Sequence, residues 1–175
     1  GQGVVNDSGV EKIAKHAQKL KIPIIADPKL TGLHRTHNVD WIIFQSRGFE
    51  LMKRRIGEGD DSVAAKSLLE SYGWKHLVVL AGGNGVTIYS QSDNTVHVAC
   101  TLPQLRQVIG LIDAAVVAIA VSISNGFSVS DTALLTNAAC ECILSAEATD
   151  SFSLSKDMLI HRVGEIAWNL QVSKR

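Results

Sequence analysis

VDWIIFQSRGFELMKRRIGEGDDSVAAKSLLESYGWKHLVVL, residues 39–80, is the stretch whose reading decides the fold. It opens on Val39–Phe44, a short run apolar at every position but Asp40, of the kind that lies buried on both faces of a sheet, and it closes on a second such run, Leu77–Leu80. Between them stand two segments with helical spacing, Ser46–Ile56 and Ser62–Tyr72, the latter followed by Gly73, which is well placed to end it. A strand apolar on both faces needs cover on both, and intervening helices supply it.

Working outward, the same rhythm continues toward the N-terminus. Apolar residues at Val10, Ile13, Ala14, Ala17 and Leu20 form a helical stripe from Asn6 to Leu20, with Asp7 or Ser8 as cap. Ile22–Ala26 then reads as a strand buried on both faces and stopped by Asp27-Pro28. On the other side the rhythm changes. Val86–Tyr89 and Val96–Leu102 flank the polar turn 91–94, which predicts an antiparallel hairpin at the sheet edge. From about Asp113 the chain reads as helices: one ended by Asn125-Gly126, one capped by Ser130 or Asp131, and one from Ser155 to about Leu170. The expected architecture is α/β, one domain over residues 1–175, with a mainly parallel sheet between helices and an edge hairpin.

Composition narrows the classes of function. Seventeen Lys and Arg balance seventeen Asp and Glu, so there is no positive field to hold a nucleic-acid backbone. The longest apolar run, Leu111–Val121, is broken by Asp113 and falls short of the roughly 20 residues a membrane helix needs. Cys100, Cys140 and Cys142 form no Cys-x-x-Cys pair, and an odd count fits no closed disulfide framework, so a reducing cytosol is the expected compartment. No secretory leader is read at the start, and Gly1-Gln2-Gly3 looks like the middle of a longer sequence. His34 and His37 stand in a polar loop without metal-ligand spacing. Trp41, Trp74 and Trp168 read as packing residues rather than a stacking platform.

Four local patterns occur in a telling order: Asp27-Pro28-Lys29, Gln45-Ser46-Arg47-Gly48 and Gly82-Gly83-Asn84-Gly85, each after a strand, then Gly110-Leu111-Ile112-Asp113 before an apolar helix. With Thr136-Asn137-Ala138-Ala139 further on, this set resembles the ribokinase-like carbohydrate kinases, most closely the kinase domain of bacterial heptose 7-phosphate kinases. The resemblance implies a three-layer ribokinase-like sandwich, of which this chain would be the C-terminal, nucleotide-binding part. It implies ATP and Mg2+, with Asp113 as the base that takes the proton of a sugar hydroxyl. Gly110, Leu111 and Ile112 would form an anion hole, because a helix N-terminus presents unpaired N–H donors and a partial positive charge. Gly82, Gly85 and Asn137 would lie near the nucleotide, and Asp27, Lys29 and Gln45 near phosphate or substrate.

Three positions depart from the family pattern: Ile112 stands where the family has Gly, Gly48 where it has Glu, and Leu80 where a hydroxyl residue is common. Ile112 would crowd a phosphate and could not readily take a positive φ if the turn required one. Plainer readings stand beside these. Asp113 would serve equally as a helix cap or first-turn carboxylate, residues 82–85 as a tight turn between strands, and Asp27-Pro28 as a strand-ending turn. The family's sugar-binding residues and lid come mainly from an N-terminal half, expected here from the same protein or a partner chain. The expected partners are thus nucleotide, sugar or sugar phosphate and that missing half, with a homo-oligomer left open and no nucleic acid or membrane. Two functions follow, an ATP-dependent sugar kinase with impaired turnover and an inactive pseudokinase used for binding or assembly. An unrelated α/β domain that matches by chance is the third reading.

Overall fold

The computed structural model describes residues 7–20, 23–102 and 109–145. Five strands form one mixed sheet in the order β1-β2-β3-β4-β5, comprising Ile25–Ala26, Trp41–Gln45, His76–Leu80, Val86–Ser90 and Val96–Val98. The described helices are α1 (Asp7–Lys19), α2 (Ser46–Ile56), α3 (Asp61–Tyr72), α4 (Leu111–Ser124) and α5 (Val129–Ser145). The chain divides into two compact units, residues 1–78 with 89–94 and residues 79–88 with 95–175.

In the first unit, β1 and β2 are parallel, with Ile25 level with Trp41 and Ala26 with Ile42. Ile42 and Ile43 are fully buried, as the continuous apolar run demands. Strand β1 is shorter than Ile22–Ala26, and its two residues are only half-buried. It stands at the outer position of the described sheet, where Pro23, which has no N–H for a ladder, is tolerated. The carboxylate of Asp40 secures this edge by accepting from Ile24 N–H at 2.8 Å, and the Ile24 carbonyl accepts from Trp41 at 2.9 Å.

Helix α3 is capped at both ends by its own sequence. Asp60 Oδ1 accepts from Val63 N–H at 2.9 Å, and Gly73 closes the helix at φ 68°. Just beyond it, Trp74 is fully buried, with Nε1 donating to the Thr36 carbonyl at 2.8 Å and its ring stacked 4.5 Å from Tyr72. Trp41 is also buried, so both described tryptophans pack in the interior; Trp168 and the expected helix 155–170 lie outside the described residues.

The second unit holds the hairpin. Val86, Thr87 and Ile88 pair antiparallel with Val98, His97 and Val96. β5 ends at Val98 rather than Leu102. Helix α4 starts at Leu111, two residues before the expected point, because Gly110 takes a left-handed conformation at the N-cap. Helix α5 also starts early: Ser128, not Ser130 or Asp131, supplies the cap, its Oγ accepting from Asp131 N–H at 3.1 Å. Cys140 and Cys142 are buried in α5, and burial pushes the Cys140 thiol up to about 12, far from a reactive thiolate.

Two outcomes are expected. Gly85 sits at φ 86°, ψ −149°, and a Cβ there would collide with the Val98 carbonyl and lie 2.8 Å from Cys100 N. Gly85→Ala should therefore lower unfolding stability in urea by about 3 kcal/mol or more, against about 1 kcal/mol for Gly57→Ala, whose Cβ would meet nothing. Second, burial holds the half-buried His76 below its ordinary pKa, outweighing Asp93 and Asp40, so the folded state resists its protonation. That contribution is complete at pH 7 and is lost as pH falls below the unfolded histidine value, about 6.5. Thermal melts from pH 7.5 to 5 should show the decline, and His76→Phe, which keeps the ring stacked on Trp41, should flatten it.

Candidate functional site

Of the residues singled out from the sequence, Gly82, Gly85, Gly110, Leu111, Ile112, Asp113 and Asn137 fall in the second unit, and Asp27, Lys29 and Gln45 in the first. Asp27 follows β1 and Gln45 ends β2, so the parallel pairing brings both to the C-terminal edge of that strand pair, where open α/β sheets place ligands. Asp27, Lys29 and Gln45 are all solvent-exposed.

The start of α4 is built by Gly110. At φ 92°, ψ 3° it lets the chain turn sharply into the helix, and its carbonyl accepts the first helical bond, from Ala114 N–H at 3.1 Å. The N–H groups of Leu111, Ile112 and Asp113 consequently have no partner within the helix, and the positive end of its dipole lies there. Asp113 stands in this first turn with an exposed side chain. The left-handed position is therefore 110, not 112. Ile112 has ordinary helical backbone, so its β-branched side chain imposes no conformational strain and bears on a phosphate only through its bulk.

Residues 82–85 form a tight helical turn. Asn84 N–H donates to the Ala81 carbonyl at 3.0 Å, Gly85 N–H to that of Gly82 at 3.0 Å and Ala81 N–H to that of Gly85 at 2.9 Å. Gly82 is left-handed at φ 53°, with open space where a Cβ would be. Before the turn, Leu80 is 2% exposed and offers no hydroxyl. Asn137 is buried in α5, where its Nδ2 donates to the Ala99 carbonyl and to Glu141 Oε1, each at 3.3 Å. Its amide thus acts inside the chain.

Sequence reasoning passed over Glu141 altogether. This carboxylate is fully buried, and its Oε1 accepts from Thr101 N–H at 2.6 Å and from Thr101 Oγ1 at 3.1 Å. The available signal was a charged residue inside the otherwise uncharged run from Thr132 to Ser145. Two cavities in the first unit, of about 370 and 500 Å3, share Gln18 and Asn38; His34 and His37 line the smaller, and neither contains a residue expected near nucleotide, phosphate or substrate. Among the described residues no three His, Cys, Asp or Glu side chains converge to hold a metal ion, and no helix is long and apolar enough to cross a membrane.

No family model matches the sequence. Among solved structures, phosphofructokinase-2 from Escherichia coli superposes with a TM-score of 0.78 at 18% identity, over 93% of this chain and 53% of that one. Ribokinase from Arabidopsis thaliana, solved with ribose and ATP, gives 0.75 at 17% identity, over 90% of this chain and 53% of that one. The chain is a partial ribokinase-like fold. Relatives also appear at the level of sequence. The bifunctional protein HldE of Hyphomonas neptunium is 30% identical over 142 residues, 79% of this chain, and that of Aliivibrio fischeri 23% identical over 145 residues, 82% of this chain. The chain spans about 30% of the length of these relatives. The ribokinase-like architecture read from the motif order is thus observed, as a part of the fold.

Within this ribokinase-like fold, Gly48 occupies the third position of α2, where a Cβ would meet Phe44 alone, Cδ1 at 3.4 Å and Cβ at 4.0 Å, both ordinary contacts. Gly48→Ala should raise unfolding stability by about 0.5–1 kcal/mol, since glycine in a helix carries an entropic cost that alanine does not. Chemical denaturation measures this directly.

Proposed function

We propose that this chain is the nucleotide-binding part of an ATP-dependent sugar or sugar-phosphate kinase of the heptose-phosphate-kinase type, with weakened phosphoryl transfer. The observation that carries the reading is the start of α4: a left-handed Gly110, three first-turn N–H groups without helical partners, and an exposed Asp113 beside them, in a ribokinase-like fold. The similarity to HldE supports the sugar-phosphate class. Asp27, Lys29 and Gln45 would lie toward phosphate or substrate, and Gly82 and Gly85 toward the nucleotide, in the cytosol. The remainder of the fold, from the same protein or a partner, would supply most sugar contacts.

On this reading the N–H groups of Leu111, Ile112 and Asp113 receive the charge on the transferring phosphoryl group, which a helix N-terminus favours. Asp113 accepts the proton of the sugar hydroxyl as that oxygen bonds to phosphorus and the bond to the leaving diphosphate breaks. The side chains offer no protein cage for Mg2+, since no three acidic or histidine groups converge among the described residues. Such an ion would be held largely through phosphates and water, and its chemistry would be charge neutralisation on the nucleotide.

Two departures motivate the weakened turnover. Ile112 places a branched side chain beside the first-turn donors, and Gly48 supplies no carboxylate at the head of α2. Losing one well-placed oxyanion donor alone costs on the order of 100-fold in rate.

The alternative is a pseudokinase that retains the fold for binding or assembly. A coupled assay of ADP release, run with MgATP against a panel of sugars and sugar phosphates, separates the readings. Little or no sugar-dependent turnover is expected from this chain by itself. Robust turnover abolished by Asp113→Asn would keep the kinase and refute the impairment. ATP binding without turnover, with the rest of the protein present, would favour the pseudokinase. Absence of nucleotide binding there would overturn both and leave the fold alone.

A further inference from the structure

The chain just after β5 and the start of α4 are both fastened to one helix, α5. After β5, Thr101 donates its N–H at 2.6 Å and its hydroxyl at 3.1 Å to Glu141 Oε1. Asn137, one turn earlier on α5, braces that oxygen and the Ala99 carbonyl, each at 3.3 Å. At the start of α4, Cys140 Sγ approaches the Leu111 carbonyl at 3.9 Å, and Ile143 Cδ1 lies 3.9 Å from where a Gly110 Cβ would be. Residues 137, 140 and 141 stand three and four apart and so share one face of α5.

A fully buried carboxylate is among the costliest groups to place in a core, and it persists where hydrogen bonds satisfy it. A side chain bonded to a backbone N–H forty residues away fixes where that backbone runs. We infer that Glu141 is a positioning residue: through Thr101 it docks α5 on the chain just after β5, and through Cys140 and Ile143 of the same helix it sets the placement of the Gly110–Asp113 turn. The inference about function rests on the kinase reading, in which that turn receives phosphate. The inference about placement does not.

The test uses the full chain and three forms: wild type, Glu141→Leu, which removes the acceptor at similar volume, and Glu141→Gln, whose amide oxygen still accepts from Thr101. Amide hydrogen exchange is followed at Thr101 and at Ala114, whose N–H closes the first turn of α4, with β2 amides as the internal reference. Exchange at both sites should rise at least about tenfold in Glu141→Leu, as loss of one charge-assisted bond permits, and stay near wild type in Glu141→Gln. Unchanged exchange at either site, or an equal rise at β2, would overturn the positioning role and leave Glu141 a stability residue. With the rest of the protein present, MgADP affinity should fall about tenfold in Glu141→Leu while adenosine affinity does not change, because the turn meets phosphate only. If wild type binds MgADP and Glu141→Leu binds it equally well, the positioning role falls. If the exchange pattern is as expected and wild type binds no MgADP, the placement stands and the kinase reading fails.

Discussion

Gly85 passes so close to the Val98 carbonyl that only hydrogen fits between them. That approach lets the chain leave the 82–85 turn and enter β4 already in register with β5, Val86 level with Val98. The end of β5 is thereby set, and with it the point at which Thr101 meets Glu141. Helix α5 in turn packs against the start of α4. A single absent side chain at position 85 thus stands at the head of a sequence of contacts that ends at Gly110 and Asp113.

The first unit depends on a different kind of constraint. Its interior holds large rings, and the polar atoms they bring with them must be satisfied. Trp74 does so through Thr36, while His76 stacks on Trp41 and reaches Ser90 Oγ at 2.8 Å. Asp40 ties the short outer strand to β2, and its other oxygen meets Lys75 at 2.9 Å. Lys53, largely covered in the last turn of α2, stays charged between the more exposed Asp61 and Glu50, linking the last turn of one helix to the first of the next. Such an arrangement complements both helix dipoles at once.

Chemically, the two groups of singled-out residues have different standing. The α4 start combines first-turn N–H groups that have no partner within the helix, a positive helix end and an exposed carboxylate. The 82–85 turn satisfies much of its own backbone, which suits its role as a connection between strands. Asn137 belongs to the interior. Sequence similarity to HldE and superposition on ribokinase-like enzymes concern the fold as a whole; the local geometry distinguishes among these positions.

What the sequence by itself determined is local. Helix α2 runs over the very residues its spacing predicted, α3 ends at Gly73, α4 ends at Asn125-Gly126, and β2, β3 and the hairpin stand where apolar runs and a polar turn put them. Caps, turns and periodicity act over about four residues, so neighbouring letters suffice to read them. Only the tertiary structure decided that β1 is half-buried, that Gly110 rather than position 112 takes the left-handed turn, that Ser128 caps α5, and that Asn137 and Glu141 face inward. The inward pair is satisfied by Ala99 and Thr101, 38 and 40 residues away in sequence. No window of neighbouring residues contains both partners of such a bond, and whether a polar side chain is buried depends on what folds over it.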